Sequence, residues 1–227
     1  MYIQILTLIL GSDTLATAIT SSFFYLLHYP ENLTKLNTEV RSTFSSVDQI
    51  CVGPQLTSCH YLRAVLDESM RLSPGVGGVL PREVLPGGLH VEGHHFPEGT
   101  VVATCHYSIH HNESYYPDPF TFKPSRWIAD RDNDTTPSSV ELAKSAFCPF
   151  SIGPRGCIGK AMAYAEMSIL LARVIWLYDM RLKEGSTLGE GSPALGTGRT
   201  RRNEFQLYDK FVSKTDGPLV EFKVRKM

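Results

Sequence analysis

The chain of 227 residues has the composition of an ordinary folded protein, with 42% hydrophobic and 20% charged residues. Its net charge of −1 leaves no basic surplus for nucleic acid or anionic lipid. The five cysteines are odd in number and irregularly spaced, which indicates reduced thiols rather than a disulfide framework. The apolar start from Tyr2 to Leu10 has no basic flank and is too short for a membrane span, so we expect neither a signal peptide nor an anchor there.

The first third of the chain predicts three helices. Residues 3–28 are mostly helix formers with apolar side chains on nearly every face, which favours a buried helix. Residues 31–44 open with an acidic first turn and carry apolar side chains at helical spacing, so this helix is expected at the surface. Residues 58–72 repeat the helical spacing and stop before Pro74. The side chains expected to point inward from this last helix are Leu62, Val65, Leu66, Ser69 and Met70.

Short β-like runs follow at residues 78–80, 89–91 and 100–104, between turns rich in proline and glycine. Together these runs predict one small sheet. Residues 112–139 are rich in Pro, Asp, Asn and Ser, and a loop of this length inside a domain is usually functional or a packed meander.

The strongest helical pattern covers residues 157–179, where apolar side chains recur at the spacing needed for packing. The tail, residues 204–225, predicts two strands joined through Asp216-Gly217-Pro218.

Cys157 lies in the most informative segment, Phe150-Ser151-Ile152-Gly153-Pro154-Arg155-Gly156-Cys157-Ile158-Gly159. A cysteine ligates iron as its thiolate, a form that a helix N-terminus and a nearby cation favour. Cys157 has both, because a predicted helix begins there and Arg155 is close by. Arg155 also offers a fixed cationic fork for a carboxylate such as a haem propionate. We therefore interpret Cys157 as the thiolate ligand of a haem iron.

The remaining residues of the segment fit the same interpretation. Gly153 and Gly156 let the backbone turn tightly and approach a flat macrocycle, and Gly159 removes bulk beneath the ring. Phe150 is placed to pack against the sulfur and exclude water. The alternative is that Cys157 is a small buried hydrophobe at a helix start, but that leaves the glycines and the arginine unexplained.

This segment resembles the signature of the cytochrome P450 family, F-x-x-G-x-R-x-C-x-G, at every position. Glu68-Ser69-Met70-Arg71 matches the family's E-x-x-R motif, and Arg126 lies in the P-x-R-F/W segment that follows it. The resemblance implies a triad in which Glu68 and Arg71, on one helical face, pair with Arg126 behind the cysteine loop. Without the other motifs, Glu68 and Arg71 would be an ordinary surface ion pair.

Further segments are similar to the family's oxygen-activating, haem-binding and substrate-lining segments. Leu10-Gly11-Ser12-Asp13-Thr14-Leu15 resembles the oxygen-activating motif A-G-x-D/E-T-T/S, with Leu10 and Leu15 as departures, which implies that Asp13 and Thr14 relay protons. The resemblance also assigns a haem propionate to Arg82. The positions that it assigns to the substrate pocket are Val76, Val79 and Phe211.

Six histidines invite a zinc interpretation, but their spacing fits no zinc pattern, and we expect exposed turn residues instead. They are His90, His94, His95, His106, His110 and His111.

The resemblance implies a mainly α fold with a small β region (α+β), the C-terminal part of the cytochrome P450 fold without its N-terminal half. Within a partial domain over residues 1–227, it implies an oxygen-activating helix at 1–28, the E-x-x-R helix at 58–72, the meander at 112–149, and the cysteine loop with its following helix at 150–180.

The function implied is that of a haem-thiolate monooxygenase that holds heme b through Cys157. It would hydroxylate a small lipophilic substrate with O2 and electrons from NADPH-cytochrome P450 reductase. The segments Leu85-Pro86-Gly87-Gly88-Leu89 and Tyr115-Tyr116-Pro117-Asp118-Pro119-Phe120 resemble filamentous-fungal members that act in secondary metabolism. The full-length family is expected at the endoplasmic reticulum membrane, whereas this chain alone is expected in the cytoplasm. The alternative is a truncated, catalytically inactive fragment that at most binds haem or a partner.

Overall fold

Among the described residues, seven α-helices form most of the regular structure. The computed structural model describes residues 2–130 and 135–226, with side chains from residue 11 onward, so Met1 of the predicted first helix lies outside the described residues. The helices of this part of the chain are α1 (Tyr2–His28), α2 (Pro30–Thr43), α3 (Pro54–Thr57), α4 (His60–Leu72), α5 (His106–His110), α6 (Pro137–Ser145) and α7 (Lys160–Leu177).

The helices predicted at residues 3–28, 31–44 and 58–72 are confirmed. The helix predicted from Cys157 instead begins at Lys160 and ends at Leu177, because the preceding residues form a tight loop and the following ones a strand.

Helix α4 is more buried than its apolar pattern alone predicts. The side chains expected to point inward are buried, and so are the charged Asp67, Glu68 and Arg71. The reason is position, since α4 packs against α1, α2, α5 and α7 and against the 3₁₀ turn Pro124–Trp127. A helix surrounded in this way buries polar side chains only if they find partners.

In residues 2–130 and 135–226, eight short strands form four antiparallel pairs. Their bounds are β1 (Arg82–Glu83), β2 (Leu89–Val91), β3 (His94–Phe96), β4 (Val101–Val102), β5 (Tyr178–Leu182), β6 (Leu207–Tyr208), β7 (Lys214–Thr215) and β8 (Val220–Val224). The prediction of a single small sheet in the middle of the chain is wrong. Strand β1 pairs with β4, and β2 pairs separately with β3. The run 78–80 contributes only an isolated bridge between Val79 and Cys105.

The two strands predicted on either side of Asp216-Gly217-Pro218 are present as β7 and β8, but they do not pair with each other. Strand β7 pairs with β6, whereas β8 pairs with β5 over five residues on each strand. The physical reason is that β5 follows α7 directly and has an edge next to the helical core. Strand β8 pairs with this edge.

The main hydrophobic core lies where α1, α2, α4 and α7 meet. Fully buried side chains from each helix fill it, among them Phe24, Leu36, Leu66 and Leu171. A second, smaller cluster joins α4 to the meander and α6 through Ala64, Tyr116, Trp127, Ala143 and Ala146. In the described part of the chain, none of the helices combines the length and apolar character needed to cross a membrane.

Candidate functional site

The loop that carries Cys157 is held by its own backbone hydrogen bonds. The Ser151 N–H donates to the Cys148 carbonyl at 2.9 Å, and the Gly156 N–H donates to the Gly153 carbonyl at 3.0 Å. Cys157 itself donates its N–H to the Phe150 carbonyl at 2.8 Å. These bonds fold the loop back on itself just before α7 and fix the backbone that presents the thiol.

The Cys157 thiol is free and exposed, and three apolar side chains near it in sequence are exposed too. Ile158 is 105% exposed, Ile152 77% and Met162 66%. An exposed apolar surface of this kind usually marks a place where another molecule binds. Arg155 is exposed, and among the described residues its guanidinium makes no hydrogen bond or ion pair.

Glycines keep the approach to the sulfur open. A Cβ at Gly159 would lie 3.7 Å from the Cys157 sulfur, in van der Waals contact with it, and it would reduce the space next to the thiol. A Cβ at Gly156 would lie 3.2 Å from the Gly153 carbonyl oxygen, tighter than ordinary contacts. The glycines of the signature therefore serve both the turn and the space beside the thiol.

Phe150 contacts the site mainly through its backbone. Its carbonyl accepts the Cys157 N–H, while its ring packs on Tyr164 with a centroid separation of 5.1 Å. The Lys160 ammonium lies 6.0 Å over the same ring. The ring thus bridges the loop and the first turns of α7.

The structure brings Glu68, Arg71 and Arg126 together in the interior. Arg71 donates from Nε and Nη2 to the two carboxylate oxygens of Glu68, both at 2.9 Å. Arg126 donates from Nε to Oε1 of Glu68 at 3.2 Å. The side chains of Glu68 and Arg71 have no exposed surface, and that of Arg126 is 7% exposed. This is a buried charge network, not a surface ion pair.

Arg71 also ties α4 to the meander. Its Nη1 donates to the carbonyls of His110 and Pro119, both at 2.7 Å, and its Nη2 donates to the Thr121 carbonyl at 3.3 Å. Planar guanidinium groups suit this role because they offer several donors in a fixed geometry.

Two partners of Glu68 were not predicted. The Trp127 indole N–H donates to Oε2 at 2.9 Å, and the Lys123 amide donates to Oε1 at 3.0 Å. The motif contains the tryptophan, but its spacing carries no sign of this hydrogen bond. Burial alone would raise the pKa of Glu68, but Arg71, aided by Arg126 and the Lys123 amide, lowers it to about 2.

Asp13 and Thr14 lie on α1, where Asp13 is exposed and Thr14 half-buried. The Thr14 hydroxyl donates to the Gly11 carbonyl at 3.4 Å. One turn further, the Thr17 hydroxyl contacts the Asp13 carbonyl at 3.0 Å and the Ser213 carbonyl at 2.8 Å. Thr17 therefore links the α1 backbone at Asp13 to the hairpin of β6 and β7.

The segment after α4 runs close to Thr14. A Cβ at Gly75 would lie 3.2 Å from the Thr14 Cβ, so a larger residue there would displace one of the two backbones. The next residue, Val76, is half-buried, whereas Val79 is exposed and bridges Cys105. Phe211, between β6 and β7, is 59% exposed with a φ of 71°.

Arg82 lies in β1 and is exposed. Its Nη1 donates to the nearby Pro81 carbonyl at 2.9 Å. The structure thus holds this guanidinium near its own strand.

The expectation that all six histidines are exposed turn residues is wrong for three of them. His90, His94 and His95 are exposed on β2 and β3, but His106 and His110 are buried and His111 is half-buried at α5. Burial, with nearby Arg71, lowers the pKa of His110 to about 3. Burial also lowers the pKa of His111 to about 4. Helix α5 packs against α4, which explains why its rings are inside.

Comparisons with known proteins identify the family. The family model described as Cytochrome P450 matches residues 3–194, and the chain belongs to the cytochrome P450 family. Cytochrome P450 monooxygenase AKT7 of Alternaria alternata is 46% identical over 216 residues, which cover 94% of this chain and 41% of that protein. Cytochrome P450 monooxygenase apf8 of Gibberella fujikuroi is 41% identical over 217 residues, which cover 95% of this chain and 58% of that protein. The predicted family and its fungal character are confirmed.

A solved structure, described as "Retinoic acid bound cyanobacterial CYP120A1", aligns with a TM-score of 0.75 at 26% identity. The alignment covers 97% of this chain and 45% of that one. The expected fold class, a mainly helical part of the cytochrome P450 fold, is confirmed. The chain spans 41% and 58% of the length of the two relatives named above.

Proposed function

We propose that this chain carries the haem-thiolate site of a monooxygenase that hydroxylates a small lipophilic organic substrate in fungal secondary metabolism. The observation that carries the proposal is the Cys157 thiol, exposed among apolar side chains on a loop whose backbone is fixed. The fungal relatives, which are monooxygenases by name, support the reaction class.

The residues present fit heme b. Cys157, free and exposed, would hold the haem iron through its thiolate. Arg155 and Arg82, both exposed, would pair with the propionates. Gly159 and the Phe150 carbonyl keep the thiol accessible and in place. When bound, the haem supplies dioxygen binding and activation for insertion of one oxygen atom into a C–H bond.

The distal residues of this chain would manage protons and the substrate. The exposed carboxylate of Asp13 takes protons from solvent, and the Thr14 hydroxyl passes them toward the site. Val76, Val79 and Phe211 present apolar surface to a lipophilic substrate and exclude water from it. The electrons come from NADPH-cytochrome P450 reductase, and the complete enzyme acts at the endoplasmic reticulum membrane.

A reduced carbon monoxide difference spectrum tests the proposal. The chain reconstituted with haemin is expected to show the red-shifted band of a thiolate ligand, and Cys157→Ser is expected to abolish it. Cys51→Ser is the matched control, since Cys51 is also free and exposed. An identical band in Cys157→Ser, or the absence of any haem signal in the unmodified chain, contradicts the haem-thiolate site. Reductase-dependent NADPH oxidation without a thiolate band would contradict it as well.

A further inference from the structure

His110 is a buried histidine whose ring is turned toward the start of the cysteine loop. It is the last residue of α5 and has no exposed surface. Its Nε2 lies 3.0 Å from the backbone nitrogen of Cys148, which donates to it. The ring also packs against Phe147 at a centroid separation of 5.6 Å. The side chain therefore contacts the segment from which the loop begins.

The backbone of the same residue contacts the triad. The His110 carbonyl accepts from Nη1 of Arg71 at 2.7 Å. The Cys148 carbonyl, in turn, accepts the Ser151 N–H, and the Phe150 carbonyl accepts the Cys157 N–H. Successive hydrogen bonds thus lead from Arg71 through His110 into the loop that ends at Cys157.

The protonation state of the ring fits an acceptor. The low pKa caused by burial keeps His110 neutral, and because Nε2 accepts, the proton is on Nδ1. Within the described residues, Nδ1 has no hydrogen-bond partner. A buried unpaired donor is unfavourable, and an apolar side chain would fill this space without that cost. The hydrogen bond that Nε2 accepts from the Cys148 amide explains why a histidine, rather than an apolar residue, occupies this position.

We propose that His110 is a positioning residue for Cys157, which connects the Glu68–Arg71 pair to the cysteine loop through the Cys148 amide. The proposal rests on the proposed function only for the role of Cys157 as the haem ligand. The hydrogen bond itself is a property of the chain with or without haem.

The test compares His110→Phe, which removes the acceptor, with His110→Gln, which restores one near the position of Nε2. In the complete 227-residue chain, residue-resolved hydrogen exchange reports the Cys148 amide, and peptide mapping after iodoacetamide treatment reports the alkylation rate of Cys157. His110→Phe is expected to accelerate exchange at Cys148 roughly tenfold and to change the alkylation rate of Cys157 severalfold. His110→Gln is expected to stay within about twofold of the unmodified chain in both measurements.

His111→Phe is the matched control, because His111 follows in sequence but bonds to the Tyr107 carbonyl rather than to the loop. It is expected to leave both rates unchanged. Unchanged rates in His110→Phe, or the same acceleration in the Phe and Gln variants, overturn the proposal. If His110→Phe does not fold, His110→Gln decides, since loss of protection at Cys148 in that variant overturns the proposal and retained protection supports it.

Neither measurement requires haem. A chain that fails to bind haemin therefore overturns the proposed function while the exchange rates still judge His110. A chain that binds haemin through Cys157 and is indifferent to His110→Phe overturns only the inference.

Discussion

Glu68 is a carboxylate with no exposed surface, and its partners determine what a substitution there would do. Arg71, Arg126 and the Trp127 indole all donate to it. Glu68→Gln keeps the shape but leaves two buried guanidinium groups without their counter-charge. Breaking a buried pair from one side typically costs about 3 to 5 kcal/mol. We expect a loss of that size in the free energy of unfolding, measured by urea titration.

Glu221→Gln is the control for this prediction. Glu221 pairs with Arg181 at 2.8 Å, but both side chains are exposed to solvent. Exposed pairs contribute about 1 kcal/mol or less, so this variant is expected to remain close to the unmodified chain. Equal losses in the two variants would show that burial of the Glu68 network is not what makes it important.

Titration of the same region predicts acid sensitivity in two stages. His110 and His111 have folded-state pKa values of about 3 and about 4, below the ordinary 6.5, so their contribution is present above pH 6.5 and is lost as pH falls below it. Glu68, lowered from 4.5 to about 2, contributes above about pH 4.5 and loses that contribution as pH falls toward 2. Unfolding free energies measured between pH 7 and pH 3 are expected to decline below pH 6.5 and to decline more steeply below about pH 4.5, where Glu68 adds to the histidines, and Glu68→Gln is expected to remove only the added steepness of this lower stage. An unaltered lower stage in that variant would contradict the assignment.

Those contacts of the candidate site that join residues close in sequence were predictable, for a physical reason. Glu68 and Arg71 are one helical turn apart, so any helix places them side by side. The glycines of the signature around Cys157 likewise predict a tight local loop. The roles of Trp127 and His110 were not predictable, because their hydrogen bonds depend on where the meander and α5 pack against α4. Burial of His110 reversed the expectation of an exposed turn residue.

Between elements, the contact of α1 with the segment after α4 leaves little space. A Cβ at Gly75 would lie 3.2 Å from the Thr14 Cβ and 3.3 Å from its carbonyl oxygen. We expect Gly75→Ala to lower the free energy of unfolding by about 1 to 3 kcal/mol through overpacking. Denaturant titration measures this, and Gly77→Ala is the control, because its nearest neighbour would be 3.6 Å away, an ordinary contact. Equal stability of the two variants would contradict the prediction.

Helices were predictable at the scale of elements, whereas strand pairing was not. Helical hydrogen bonds are local, so the apolar spacing and the acidic first turn of residues 31–44 are sufficient evidence for α2. The partner of β8 is β5, which lies before the long segment 183–219, and no local pattern identifies so distant an edge. The run 78–80 similarly forms only the bridge from Val79 to Cys105, because β4, within the run 100–104, pairs with β1 instead.

Across the whole molecule, exposed apolar side chains are expected to differ in how much they contribute to haemin binding. Ile158 is beside Cys157, whereas Leu85, 75% exposed, follows β1 in another loop. We expect Ile158→Ser to weaken haemin binding several-fold with a change in unfolding free energy within about 0.5 kcal/mol, because the side chain makes no buried contact. Spectroscopic haemin titration measures the affinity.

Leu85→Ser is the matched control and is expected to leave haemin affinity unchanged. Similar weakening in both variants would show that haemin binds to apolar surface without preference for the region around Cys157.

The distribution of the two tryptophans gives the molecule a pair of internal optical reporters. Trp176 donates to the Phe44 carbonyl in the main core, and Trp127 donates to Glu68 in the second cluster. Their emission therefore reports separately on the helical core and on the network behind the cysteine loop. A variant with only one indole distinguishes loosening of one region from loss of the other, and quenching by energy transfer to a bound porphyrin provides a distance scale for each.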